Sequence, residues 1–154
     1  MLSPDRTIVP DILSAPQDLV TVHTYTSVEE AAHLMAVRRI GAVLVVGEDG
    51  KLAGIFTERD ALVRVVAWQR APAATLVAEV MTPNPDTIGP DDTAAEALDM
   101  MRKRGYRHLP VVDDGRLVGM VSVRDLYATA LVELEQGLQE RDAFISGSAG
   151  YGLT

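Results

Sequence analysis

The chain has 154 residues, a formal net charge of −8, no cysteine and a hydrophobic fraction of 47%. Such a chain suits one compact domain or two tightly packed half-domains, and its apolar content argues against global disorder. The negative charge argues against a nucleic-acid-binding surface, which needs a concentrated basic field, and the missing cysteines exclude a disulfide framework and thiolate chemistry.

No apolar run approaches the length of a membrane span. The opening Met1-Leu2-Ser3-Pro4-Asp5-Arg6 lacks the charged-then-apolar pattern of an export signal. A cytoplasmic protein without a membrane or nucleic-acid partner is therefore expected.

In chain order, Ile8 to Ser14 is expected to form a short helix or turn, and Val20-Thr21-Val22 a short strand. Ser27 and Glu30 make a Ser-x-x-Glu capping box. Behind it Val28, Ala31, Ala32 and Met35 fall at helical spacing. Arg38-Arg39 closes that helix, where cations favour the negative end of the helix dipole. The unbroken apolar run Ala42 to Val46 suits a strand buried on both faces. A turn at Gly47-Glu48-Asp49-Gly50 leads to a returning strand over Leu52 to Phe56, and Thr57 starts a helix to about Trp68.

Gln69 to Ala74 is read as a link, with Thr75 capping a short helix through about Val80. Then the plan recurs. Thr87-Ile88 is a predicted strand, Thr93 and Glu96 a second capping box, and Ala94, Ala97, Leu98 and Met101 the apolar helical positions. Arg102-Lys103-Arg104 ends that helix, and strands follow over Leu109 to Val112 and Leu117 to Val121. Ser122 opens a last long helix carrying Leu131, Leu134 and Leu138 on one face, with a mobile tail expected over Ser146 to Gly152.

The recurrence is residue by residue. Val45-Val46 matches Val111-Val112, Met35 matches Met101, and Arg38 matches Arg104, each 66 residues on. Each half closes on the same phrase: Gly54-Ile55-Phe56-Thr57-Glu58-Arg59-Asp60 and Gly119-Met120-Val121-Ser122-Val123-Arg124-Asp125. Both read Gly, two apolar residues, a hydroxyl, two spacers and Asp. Even the lead-ins Pro10 to Ser14 and Ala78 to Thr82 echo one another. Two supersecondary modules of this length can share one buried core. The expected fold is α/β (α+β type), with two β-α-β-β-α repeats packed as a pseudo-two-fold pair. The expected divisions are 8–68 for the first repeat with its lead-in, 69–75 for a linker, 76–130 for the second repeat and 131–154 for the terminal helix and tail.

The closing phrase supports two readings. A hydroxyl three residues before a carboxylate is a helix cap that needs no ligand and contributes about 1 kcal/mol. The same groups stand at a helix N-terminus, whose free N–H groups suit a phosphate, while a carboxylate can accept from a vicinal diol.

The halves resemble a tandem pair of CBS domains. The residues that carry this are Val80-Met81-Thr82-Pro83, Arg107 to Asp113, Gly115 to Gly119 and Ser122 to Asp125, together with Ile40 to Val46 and Thr57 to Asp60 in the first half. Such pairs form regulatory modules that bind adenosine-containing ligands between their sheets: AMP, ADP, ATP, NAD or S-adenosylmethionine. The resemblance implies Asp60 and Asp125 for ribose and Thr57 and Ser122 for phosphate, with Arg59, Arg124 and Arg107 as further phosphate groups. It places the adenine walls near Val22, His23, Ile40, Gly41, Ala42, Thr87, Ile88, His108, Leu109 and Pro110. It also implies a homodimer that reports to a regulated protein. Since Gly41 stands where the second half has Arg107, the second site is expected to grip phosphate better.

Nothing in the sequence joins a nucleophile, a base and an orienting group, so neither catalysis nor a catalytic cofactor is expected. His23, His33 and His108 are not read as metal ligands. The competing reading is a ligand-independent interaction module that regulates a partner enzyme or transporter through its surface.

Overall fold

The computed structural model describes residues 2–14 and 18–148. Its strands are β1 (Thr21–His23), β2 (Ala42–Val46), β3 (Leu52–Thr57), β4 (Thr82–Pro83), β5 (His108–Asp113) and β6 (Arg116–Ser122). Its helices are α1 (Val28–Arg38), α2 (residues 58–66, α-helical over Glu58–Asp60 and wider over Ala61–Val66), α3 (Val77–Val80), α4 (Ala94–Arg104) and α5 (Val123–Ser148).

The capping boxes of α1 and α4 form as expected. The Ser27 and Thr93 hydroxyls accept the N–H groups of Glu30 and Glu96, whose carboxylates accept those of Ser27 and Thr93. Both helices end in left-handed backbone, at Arg39 (φ 54°) and at Gly105 (φ 77°). That conformation costs glycine little and gives a sharp exit toward the next strand.

The first sheet runs β1-β2-β3-β4, with β1 parallel to β2 and the other neighbours antiparallel. The second holds only β5 and β6. Thr87-Ile88 therefore does not become a full strand: Ile88 makes a single parallel bridge to Val111. The chain before it has already been used, since Thr82 and Pro83 pair with Ile55 and Gly54 of the first unit.

The cores are exchanged between the units in the same way. Ile8 and Leu13 pack among Ile88, Ala94, Ala97, Met101, Leu109, Val111, Val121 and Leu126. Val77 and Val80 pack among Val22, Val28, Ala31, Met35, Val43, Val45, Phe56 and Val65. Each lead-in thus completes the core of the opposite unit. Along β2 the side chains alternate between two destinations. Val43 and Val45 face the helices, while Ala42 and Leu44 meet Ile55, Leu117 and Met120 between the sheets. This double burial is why β2 reads as an unbroken apolar run.

Thr75 is not the cap of α3. Its hydroxyl is turned inward and donates to the Ala71 carbonyl at 2.8 Å, and Leu76 occupies the capping position, its N–H held by Glu79 at 2.7 Å. The bond from the Leu76 N–H, helped by the Arg70 side chain and against the opposing effect of burial, holds the Glu79 carboxyl below its usual range. The C-terminal helix runs through Gly137, despite a cost of roughly 1 kcal/mol relative to Ala, and includes Ser146 to Ser148. The remainder of the expected mobile tail, residues 149–152, lies outside the described residues.

Gly54 is where β4 crosses β3. A Cβ there would overlap the Met81 side chain and stand 2.8 Å from the Thr82 carbonyl oxygen, which is backbone and cannot turn away. Gly54→Ala is expected to destabilise the protein by about 1–3 kcal/mol, the usual range for overpacking. Denaturant unfolding checks this, and an unchanged midpoint would refute the close approach.

Candidate functional site

Both closing phrases fold into the same small structure. At the start of α2 the Asp60 Oδ2 accepts the Thr57 N–H at 3.0 Å and the Thr57 hydroxyl at 3.1 Å, and the Asp60 N–H donates to Thr57 Oγ1 at 3.2 Å. At the start of α5 the corresponding distances for Ser122 and Asp125 are 2.7, 2.9 and 3.3 Å. In each carboxylate one oxygen is thus committed to capping. The second oxygens differ. Asp60 Oδ1 lies 3.7 Å from the Arg64 Nε, while no cation among the described residues pairs with Asp125 Oδ1. Arg64 is fixed from its far end by the Val80 and Met81 carbonyls, at 3.2 and 2.7 Å. Its counterpart in the second unit is Thr129, which hydrogen-bonds the Asp125 carbonyl.

Each carboxylate stands on the wall of a cleft. The larger cleft, about 880 Å³, joins Thr57 to Asp60 and Arg64 with Thr82, Asn84 to Asp86 and Arg104 to His108. The smaller, about 510 Å³, joins Ser122 to Asp125 with Asp18 to Val20 and Arg39 to Gly41. Each cleft therefore combines the closing phrase of one unit with the helix-to-strand corner of the other. These openings suit small molecules rather than a macromolecule.

Of the residues singled out in the sequence, Thr57, Arg59, Asp60, Gly41, Arg107 and His108 border the larger cleft. Ile40, Gly41, Ser122, Arg124, Asp125, Arg107 and His108 border the smaller. Arg107 thus belongs to both and does not single out the second site. Val22, Ala42, Ile88, Leu109 and Pro110 are buried in the cores or between the sheets and border neither cleft. His23 is exposed and stacks on Tyr25, with ring centroids 5.1 Å apart, and Thr87 is exposed. In place of Val22, His23, Thr87 and Ile88, the clefts are lined by Asp18 to Val20, just before β1, and by Asn84 to Asp86, between β4 and the Ile88 bridge. Side chains within a strand are committed to one sheet face or the other, whereas the approach to the strand opens at the sheet end.

Arginine is concentrated here in a chain of negative net charge. Arg59, Arg64, Arg104 and Arg107 border the larger cleft beside Glu58, Asp60 and Asp86. Arg104 lies 3.6 Å from Asp86, which also accepts the Tyr106 hydroxyl at 2.9 Å. Burial, then that hydrogen bond, push the Tyr106 phenol up to about 12, so it serves as a fixed donor. His108 is held below its ordinary value first by burial and also by Arg107, against the opposing fields of Glu58 and Asp125.

This sets a pH dependence. The unfolded imidazole takes its proton at higher pH than the folded one, so the stability due to neutral His108 is present above pH 6.5 and falls on acidification below it. Melting of the unliganded protein is expected to drop more steeply between about pH 7.5 and about pH 5.5 than melting of His108→Gln. Parallel slopes would refute the burial effect.

Two sheets with a cleft on either side of their interface are the architecture of a tandem domain pair. The CBS domain family matches twice, over residues 11–67 and 77–130, and the chain belongs to that family. A CBS domain-containing protein of Arabidopsis thaliana, CBSCBSPB2, is 36% identical over 124 residues, covering 80% of this chain and 23% of its own length. This chain therefore spans about a quarter of that relative. The CBS domain pair of the protein MJ0100, solved in complex with 5′-methylthioadenosine and S-adenosyl-L-methionine, is similar with a TM-score of 0.70 and 34% identity, covering 79% of this chain and 98% of that one. The CBS domain protein PAE2072 from Pyrobaculum aerophilum, solved complexed with AMP, has a TM-score of 0.68 and 26% identity, covering 75% of this chain and 88% of that one. No described helix is long and apolar enough to cross a membrane.

Proposed function

We propose that this CBS pair is a regulatory sensor of an adenosine-containing ligand, with Asp60 and Asp125 holding ribose and Thr57, Ser122 and the neighbouring arginines facing phosphate or another polar group. The observation that carries this is the twofold placing of a helix-opening hydroxyl and carboxylate on the wall of an interface cleft. Arg59, Arg64, Arg104 and Arg107 provide cations for an anion in the larger cleft. The similar structures holding AMP, and S-adenosylmethionine with methylthioadenosine, support the ligand class.

The module acts by binding rather than by catalysis. Each cleft is built from both units, so a ligand within it ties their relative positions together. A tenfold preference for one arrangement supplies only about 1.4 kcal/mol, so the readout must be finely balanced. A homodimer provides one. Leu131, Leu134 and Leu138 are more than half exposed along one side of α5, a surface suited to the same helix of a second copy.

Thermal shift with AMP, ATP, NAD and S-adenosylmethionine tests the ligand class. A compound present at a hundred times its Kd should stabilise the fold by about 2.7 kcal/mol. Mass spectrometry of the heat-released extract identifies any ligand already bound. No shift with any of the four, in protein shown free of bound ligand, would overturn the proposal.

A further inference from the structure

We infer that the two clefts are negatively coupled through one shared guanidinium, that of Arg107: the cleft that first takes a phosphorylated adenosine draws Arg107 to itself and leaves the other weaker. This rests on the nucleotide reading of the clefts. The shared wall consists of Gly41, Glu58, Arg107 and His108, which border both openings. It is thin. A Cβ on Gly41 would already stand 3.4 Å from Glu58 Oε2 and 3.4 Å from His108 Cε1.

The charges in this wall occur in single copies, although the fold is doubled. The position matching Arg107 is Gly41, the one matching His108 is Ala42, and the one matching Glu58 is Val123. The remaining cleft arginines each border one opening: Arg59, Arg64 and Arg104 the larger, Arg39 and Arg124 the smaller. Arg107 is exposed, and no carboxylate among the described residues lies within ion-pair distance of it. Its side chain is therefore uncommitted before a ligand arrives. A guanidinium gripping phosphate does so through directed, paired N–H groups and cannot serve two phosphates on opposite sides at once. Once it is engaged on one side, the other cleft keeps the Glu58 carboxylate on its wall and lacks that cation. The penalty is the same whichever cleft fills first, because coupling between binding sites is reciprocal.

Calorimetric titration with AMP tests this in six proteins: wild type, Asp60→Ala, Asp125→Ala, Arg107→Gln and the two double variants that join Arg107→Gln to each Asp substitution. Where alanine prevents folding, asparagine at the same position takes its place. The wild type is expected to bind two AMP per chain in separated steps. The weaker of the two clefts, measured alone in one Asp variant, should bind AMP roughly tenfold more tightly than the second wild-type step. In Arg107→Gln that tenfold gap should close, with both steps weak. Adenosine, which lacks the phosphate, should show no gap in the wild type.

A second wild-type step equal to the isolated weaker cleft means independent, unequal sites and overturns the coupling while leaving the nucleotide reading intact. A gap that persists in Arg107→Gln, or with adenosine, overturns the role of Arg107. Absence of AMP binding in the wild type overturns the anion reading of the clefts and the coupling together.

Discussion

Asp60→Ala is expected to weaken adenosine-ligand binding at the larger cleft by roughly ten- to a hundredfold, and Asp125→Ala to do the same at the smaller. The magnitude follows from removing a charged acceptor from a ribose diol, where each hydrogen bond to a charged group contributes about 1.5–3 kcal/mol and every 1.4 kcal/mol is tenfold in Kd. The cost to the fold is smaller. Each carboxylate also caps a helix, and losing a cap costs about 1 kcal/mol. The comparison between these magnitudes separates the two roles. If Asp60 and Asp125 serve the helices alone, both variants melt slightly lower and bind the ligand unchanged. If they also hold ribose, binding falls much further than stability. The asparagine variants sharpen the contrast, since an amide oxygen retains much of the cap without the charge. Calorimetric Kd values set beside melting temperatures for all four variants decide it, and intact affinity in all of them would refute the assignment.

Ile8→Ala is expected to destabilise the protein by about 2–5 kcal/mol, the usual cost of truncating a buried aliphatic side chain. Ile8 is 0% exposed and belongs to the core around Leu109, Val121 and Leu126, more than eighty residues away in sequence. Its segment is also tied down through the backbone. The Ile8 N–H donates to the Asp92 carbonyl and the Val9 N–H to that of Pro90, both at 2.9 Å, while the Ala94 N–H donates to the Arg6 carbonyl at 2.8 Å. The loss should therefore register in the second unit. Hydrogen exchange is expected to quicken first at the amides of α4, β5 and β6, and later in β2. Val77→Ala, in the opposite lead-in, should reverse that order. Loss of protection confined to β1 and β2 in the Ile8 variant would refute the exchanged arrangement. Against a total stability of about 5–15 kcal/mol for a domain, this single methylene-rich side chain is a large fraction.

Much of the fold was legible because its local signals are strong. The capping boxes at Ser27 and Thr93 are satisfied inside one helical turn, and the apolar spacing behind them leaves one helix face to bury. The run Ala42 to Val46 marks a doubly buried strand by composition alone. What failed were short segments with weak local preference. Thr87-Ile88 has the residue types of a strand, but only one bridge forms there. Thr75 has the residue type of a cap, but its hydroxyl found a backbone carbonyl inside the fold.

The site was legible in part for the same reason. Thr57, Asp60, Ser122 and Asp125 could be singled out because each pair is fixed by bonds spanning three residues. Arg64 could not, since nothing local distinguishes its charge from any exposed arginine on a helix. It gains its position from the Val80 and Met81 carbonyls. Nor could Asn84 to Asp86 be assigned to the cleft of the first unit's closing phrase, because that depends on β4 crossing to β3.

Local pattern along the chain is enough to reveal two homologous units, the capped helices α1 and α4, and the hydroxyl–carboxylate pairs that begin α2 and α5. Those features rest on periodicity and on hydrogen bonds between residues a few positions apart. Long-range packing is what makes each lead-in complete the opposite core, builds each cleft from both units, and sets Arg107 between the two. These depend on contacts across tens of residues, whose energies come from shared burial and leave no mark on the local pattern.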